Sequence, residues 1–309
     1  MGISKQSFGF TSGGREITCW RLTNSAGNSV EVLDYGAATR RVEVFGRNVG
    51  MSFDSVDRYE ARTTYSGAIV GRHAGRIGGA CFELNGRQYK LAVVDGPNHH
   101  HGGLEGFSHK FWQVEAIDGK LVCAYTSPDG EEGYPGTLNL TVTYEWTADS
   151  VLTVTLDAVC DQDTVASFTH HGYWNLSGSG SLDDHVYQVH APTVVMGDEN
   201  TLPTGELAEV DHTVYDFRTP RTLSNQFLDH TFPVPGSGMR ELGALSCQDM
   251  KLTVSSTLPA LHIYTGVGSH AALEAQFIPD AVHHDNFPST VLRAGERWHH
   301  IIEYNFTRN

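Results

Sequence analysis

The chain has 309 residues, with 36 Asp and Glu against 21 Lys and Arg, a formal charge of −15 and 39% hydrophobic side chains. That apolar content is too high for a disordered chain, and the acidic balance argues against nucleic acid or an anionic membrane as partner, since both are bound through Lys and Arg. No apolar run approaches the roughly 18 residues that span a bilayer, and the opening MGISKQSFGF lacks the apolar segment of a secretory signal.

In chain order, period-two alternation predicts strands at 17–23, 30–35, 41–45, 89–94, 112–117 and 121–126, each closed by Gly, Asn, Asp or Pro. Residues 54–61 are the best helical segment. The alternation is clearest at 137–146, where Leu138, Leu140, Val142, Tyr144 and Trp146 share one face, and it repeats at Leu152, Val154, Leu156 and Ala158. The polar stretch 147–150 between them suits a hairpin. With 33 glycines and little helical periodicity, the chain reads as all-β: a large antiparallel β-sandwich with few short helices. No linker or repeat divides it, so residues 1–309 are expected to form one domain. Five scattered cysteines without a CxxC pair suggest free thiols and a cytoplasmic protein.

Histidine is the compositional anomaly, with 17 in the chain and several adjacent pairs. Most are expected to be ordinary surface or hydrogen-bonded core residues. Two clusters have unusual neighbours. At 97–103 (PNHHHGG) paired glycines follow a histidine, which lets backbone approach a ligand and leaves the imidazole on an exposed turn. At 169–176 (THHGYWNL) histidines close a strand rich in aromatics, a composition that suits the C–H face and hydroxyls of a sugar. A third segment, 273–281 (LEAQFIPDA), places Glu274 in an apolar stretch as a paired, solvent-facing or basic carboxylate.

Taken together these segments resemble the aldose 1-epimerase (galactose mutarotase) family. GRHAGRI at 71–77 resembles its G-R-x-A-N-R-I segment, and 98–103 its N-x-L-H-G-G turn. SPDGEEGYPG at 127–136 is close to its S-x-D-G-E-E-G-Y-P-G loop, and 171–176 resembles its H-[ST]-Y-[WF]-N-L. D-x-R at 216–218, D-H-x-F at 229–232 and the run from Leu273 through Glu296 complete seven matches in order. The resemblance implies a galactose mutarotase-like supersandwich and the interconversion of α and β anomers of a free aldose, a monosaccharide, without metal or organic cofactor. It puts Glu274 on the catalytic base, His171 on the catalytic acid, and His101 on a second active-site histidine. Arg76 and Asp229 fall on sugar-binding positions. Asn98 opens the second motif, and Trp174 lies beside His171; both are candidates to touch sugar, Trp174 reading equally as core. His262 stands where the family has a hydroxyl-binding glutamine and is a candidate for that role. Gly75, His170 and Gly172 also depart from the family pattern. The sequence leaves a monomer or a homodimer open.

Two other readings remain. His99, His101 and Glu105 satisfy the H-x-H-x₃-E half of a cupin metal motif, although the second half is missing. A non-catalytic carbohydrate-binding sandwich would use the same aromatics and Arg76, with Glu274 merely accepting a hydrogen bond.

Overall fold

The computed structural model describes residues 2–61 and 64–308. Its strands pair antiparallel throughout, as the alternation requires. The largest sheet has nine strands, with Leu138–Trp146, Val151–Cys160, Arg297–Arg308 and Met250–Ser256 at its centre. The predicted face of Leu138, Leu140, Val142, Tyr144 and Trp146 is fully buried, and register pairs it with the equally buried Leu152, Val154 and Leu156. Residues 147–150 make the expected hairpin, closed by Thr147 N–H donating to Val151 O. A five-stranded sheet is built from Gly2–Phe10, Glu16–Thr23, Ser29–Leu33, Thr39–Val44 and Arg47–Asn48. Its buried Leu22, Val30, Val32 and Val42 join the nine-stranded sheet in one apolar core.

Among the described residues the only α-helix is Val56–Glu60, inside the segment expected to be helical. The strand expected at 89–94 is shorter: Arg87–Lys90 pairs with Cys81–Leu84, and the chain then turns away. All five cysteines are free.

A four-stranded sheet, in the order Tyr173–Trp174, Ala271–Gln276, Ala260–Tyr264 and Asp229–Pro233, carries a row of polar residues inward. On its core face lie Ala271, Leu273, Ala275, Leu261, Ile263 and Phe232. The opposite face carries Glu274, Gln276, His262, Tyr264, Asp229 and Thr231.

The loop 127–136 is a brace. The buried Arg72 guanidinium donates to Ser127 Oγ, Ser127 O, Pro128 O and Pro135 O at 2.8–2.9 Å. Glu131 accepts from Tyr125 Oη at 2.7 Å and pairs with Lys110 Nζ at 2.9 Å. Glu132 reaches across to accept the backbone N–H groups of Leu104 and Glu105 at 3.0 and 2.8 Å. Arg72→Leu leaves several buried carbonyls without donors, each costing about 1–3 kcal/mol. Urea unfolding of that variant should therefore show a loss of at least about 3 kcal/mol.

Candidate active site

The polar face of the four-stranded sheet forms one wall of a cavity of about 300 Å³. The other walls come from Gly75 and Arg76, from His100 and His101, from Tyr65, and from the hairpin Thr193–Gly197/Pro203–Glu209. Six of the eight residues expected from the sequence to form a site line it: Glu274, His171, His101, Arg76, Asp229 and His262.

Glu274 is 1% exposed, and its carboxylate meets His171 Nε2 at 3.4 Å through Oε1. Its other oxygen, Oε2, has no hydrogen-bond partner among the described residues, and Glu274 lines the cavity. Burial pushes the Glu274 carboxyl up to about 7, against the pull of the His262 charge; Asp229 adds to the rise. His171 follows the short strand Thr169–His170, which is tied to Ile69–Val70, while His171 N–H donates to Ala68 O. Its ring is flanked by the rings of Tyr65 and Tyr173, stacked at centroid distances of 5.9 and 4.9 Å. Burial, helped by nearby His262 and His100, pushes His171 down to about 3. One imidazole and one carboxyl therefore share a buried contact across which a single proton can sit on either side.

His101 is placed by a reciprocal pair of bonds: its N–H donates to Gly75 O, and Gly75 N–H donates to its Nδ1 at 3.1 Å. An amide N–H can only donate, so Nδ1 is the acceptor and the neutral ring carries its proton on Nε2. Burial holds the ring well below the usual histidine range, so His101 is a fixed donor. The next residue must be glycine. Gly102 has φ +85°, and a Cβ there would lie 1.7 Å from Gly71 O.

Arg76 sits opposite His100 in a two-stranded ladder, its Nε on Asp95 at 2.7 Å and its Nη1 3.9 Å from Asp229. Asp229 accepts from His262 Nε2 at 3.1 Å. Burial would raise Asp229, but the bond from His262 and the charges of His262 and Arg76 outweigh it and bring its carboxyl down to about 2. Burial likewise works against a charge on His262, yet its bond to Asp229 and the charges of Asp229 and Glu274 carry the ring above its ordinary value. His262 Nδ1 is also engaged, with Thr231 Oγ1 at 2.9 Å. Both of its ring nitrogens have protein partners, so it has no spare N–H for a hydroxyl.

Two expected residues lie elsewhere. Asn98 is buried outside the cavity and accepts from Gly79 N–H, shaping the turn that precedes His101. Trp174 packs against Tyr304 and Phe306 at 4.8 and 5.4 Å, on the core side of the strand whose neighbour Tyr173 faces the cavity. His170 is also core, bonded to Thr39 Oγ1 and Tyr304 Oη. The cupin half-motif is not assembled. The His99 ring is taken up by Ala92 O and Tyr134 Oη, and among the described residues no three His, Cys, Asp or Glu are placed to hold a metal. The sequence reading missed Gln276, Tyr65, Tyr173 and Tyr264. Gln276 was detectable, because it lies two residues beyond Glu274 and so on the same strand face; in the structure its buried Oε1 has no hydrogen-bond partner among the described residues.

The aldose 1-epimerase family model matches residues 18–305. The chain belongs to the aldose 1-epimerase family. Bovine galactose mutarotase is 34% identical over 90% of this chain and 91% of its own. The Escherichia coli K12 aldose 1-epimerase is 31% identical, covering 92% and 94%. The crystal structure of galactose 1-epimerase from Lactobacillus acidophilus superposes with a TM-score of 0.91 at 27% identity, over 100% of this chain and 99% of that one. Two of the departures from the family motifs, Gly75 and Gly172, stand where the packing leaves no room for a side chain. At Gly75 a Cβ would fall 2.6 Å from Pro279 Cγ, and at Gly172 one would fall 2.7 Å from the Trp174 ring.

The assigned protonation states can be read directly. In a histidine NMR titration, the ring signals of His101 should stay constant from about pH 8 to about pH 5, those of His171 should follow its Glu274 partner through about pH 7, and His262 should titrate above the free-histidine range.

Proposed function

We propose that this epimerase opens and recloses the ring of a free aldose with Glu274 and His171 as its proton-transfer pair. The observation that carries the reading is their 3.4 Å contact inside a cavity of about 300 Å³. In a cyclic aldose the anomeric oxygen O1 and the ring oxygen O5 are both bonded to C1. Groups that serve them must therefore stand side by side, as these two do. Glu274 removes the proton from O1 as the C1–O5 bond breaks, and His171 delivers a proton to O5. The C1–C2 bond then rotates, and the reverse transfers close the ring on the other face of the aldehyde. The bond cleavage, rotation and reclosure change no oxidation state and need only proton donors and acceptors, which Glu274 and His171 supply.

The neighbours have matching tasks. His101 presents its Nε2 proton to an acceptor oxygen of the sugar, and Arg76 and Asp229 offer a donor and an acceptor for hydroxyls. Gln276 adds a free amide oxygen. The five unpaired cysteines fit a reducing compartment such as the cytoplasm.

The scheme requires the pair to hold one proton in total, placed on His171 in the reactive form. Above the Glu274 value of about 7 that proton is lost, and a neutral His171 is too weak an acid to protonate O5. After subtraction of the buffer-catalysed reaction, kcat/KM should be level below neutrality and fall as pH rises through about 7. Polarimetry of freshly dissolved α-glucose or α-galactose measures this. Glu274→Gln and His171→Ala should each fold and lose about 10²–10⁴-fold in kcat. A wild-type protein that bound sugar without hastening mutarotation would favour the binding module instead.

A further inference from the structure

The cavity wall contains a row of three polar residues in strict lateral register: Thr231 opposite His262, and His262 opposite Glu274. They come from three adjacent strands of the four-stranded sheet, so side chains in that row share one face. The middle member is the only one bonded along the row and beyond it. His262 meets Thr231 Oγ1 through Nδ1 at 2.9 Å and Asp229 Oδ1 through Nε2 at 3.1 Å. A hydroxyl and a carboxylate can both accept, which is the partner set that a doubly protonated ring needs.

We infer that His262 is a positioning residue rather than a sugar ligand: held as an imidazolium by Thr231 and Asp229, it fixes a positive charge beside Glu274 and keeps the carboxylate form of that residue accessible in a dry cavity. The inference rests on the reading of Glu274 as the base. The groups around Glu274 are His262 and Tyr264 from the adjacent strand, and Asp229 from the strand beyond. His171 and Tyr173 come from the other side, Tyr304 from the sheet beneath, and Arg76 and His101 from the facing turns. Their formal charges decide the matter. Among the described residues, Arg76 and the His262 imidazolium balance their ion-pair partners Asp95 and Asp229, and the remaining carboxylate of the cavity lining, Asp198, is exposed to solvent, so the reactive Glu274 carboxylate and His171 imidazolium add no net charge to the buried groups. With a neutral His262 the same reactive form would leave one uncompensated negative charge in buried surroundings, and the proton would stay on Glu274.

The test is His262→Gln, which retains a polar side chain of similar reach but no charge, with Thr231→Val as a second variant that removes the acceptor for Nδ1. Rates come from polarimetry of α-glucose or α-galactose, whichever the wild type turns over faster, and circular dichroism checks folding. For His262→Gln the expected result is a kcat lower by about tenfold or more, a KM within about twofold, and an alkaline limb moved up by about one pH unit, as loss of a neighbouring cation demands. Thr231→Val should move both in the same direction by less, and should lower the NMR titration midpoint of His262. A KM that rises at unchanged kcat, with the limb in place, would mean that His262 binds hydroxyls directly and would overturn the inference. So would parameters equal to wild type. Should His262→Gln fail to fold, Thr231→Val decides by the same signs. Glu274→Gln is measured alongside: if it is inactive while His262→Gln behaves as wild type, only the role of His262 fails. If Glu274→Gln stays active, the assignment of the base fails with it.

Discussion

Glu274 and His171 meet because a β-strand turns successive side chains to opposite faces. Leu273 and Ala275 enter the apolar core while Glu274, between them, enters the cavity. Shifting the register of Ala271–Gln276 by one residue would bury the carboxylate among leucines and valines and put Leu273 where the chemistry is. The apolar alternation that drives folding therefore also aims the Glu274 carboxylate into the cavity. The low exposure that follows, 1% for Glu274, leaves its protonation to a few neighbours instead of to water.

Much of the cavity is held by residues that do not border it. Arg72 spans the 127–136 loop, Glu132 on that loop clamps the 104–105 backbone, and the clamped turn presents His101. The loop is the most recognisable string in the sequence, yet its side chains support the site without entering it. Arg72 has no carboxylate in direct contact and is satisfied by three carbonyls and a hydroxyl. Burial works against its charge, so this geometry has to be complete to be stable.

The sheets were legible where alternation was uninterrupted, as at Leu138–Trp146 and Val151–Cys160, and where a turn had its usual residues. The second half was harder. Arg240–Cys247 carries an irregularity between Glu241 and Gly243 that breaks the period, and Ala271–Gln276 hides its alternation because alanines stand on both faces. Within the site, motif resemblance located the charged and imidazole groups but not the parity of their neighbours. Trp174 is a candidate sugar contact because it lies beside His171, yet the single step from the cavity-facing Tyr173 places it on the core side. Asn98 shapes a turn through Gly79, a bond set by the chain's path and not by spacing. His262 could be located by motif, but its engagement by Thr231 and Asp229 depends on register between distant strands.

Gly75 shows how one close approach ties two walls of the cavity together. Its backbone lies so near Pro279 that any side chain would overlap the proline ring, and its φ of +76° suits few residues besides glycine. A side chain at position 75 therefore requires the Pro279 segment to withdraw, so these two stretches of the lining can change only as a unit, whereas the Thr193–Gly197 strand borders the same cavity without that constraint at Gly75.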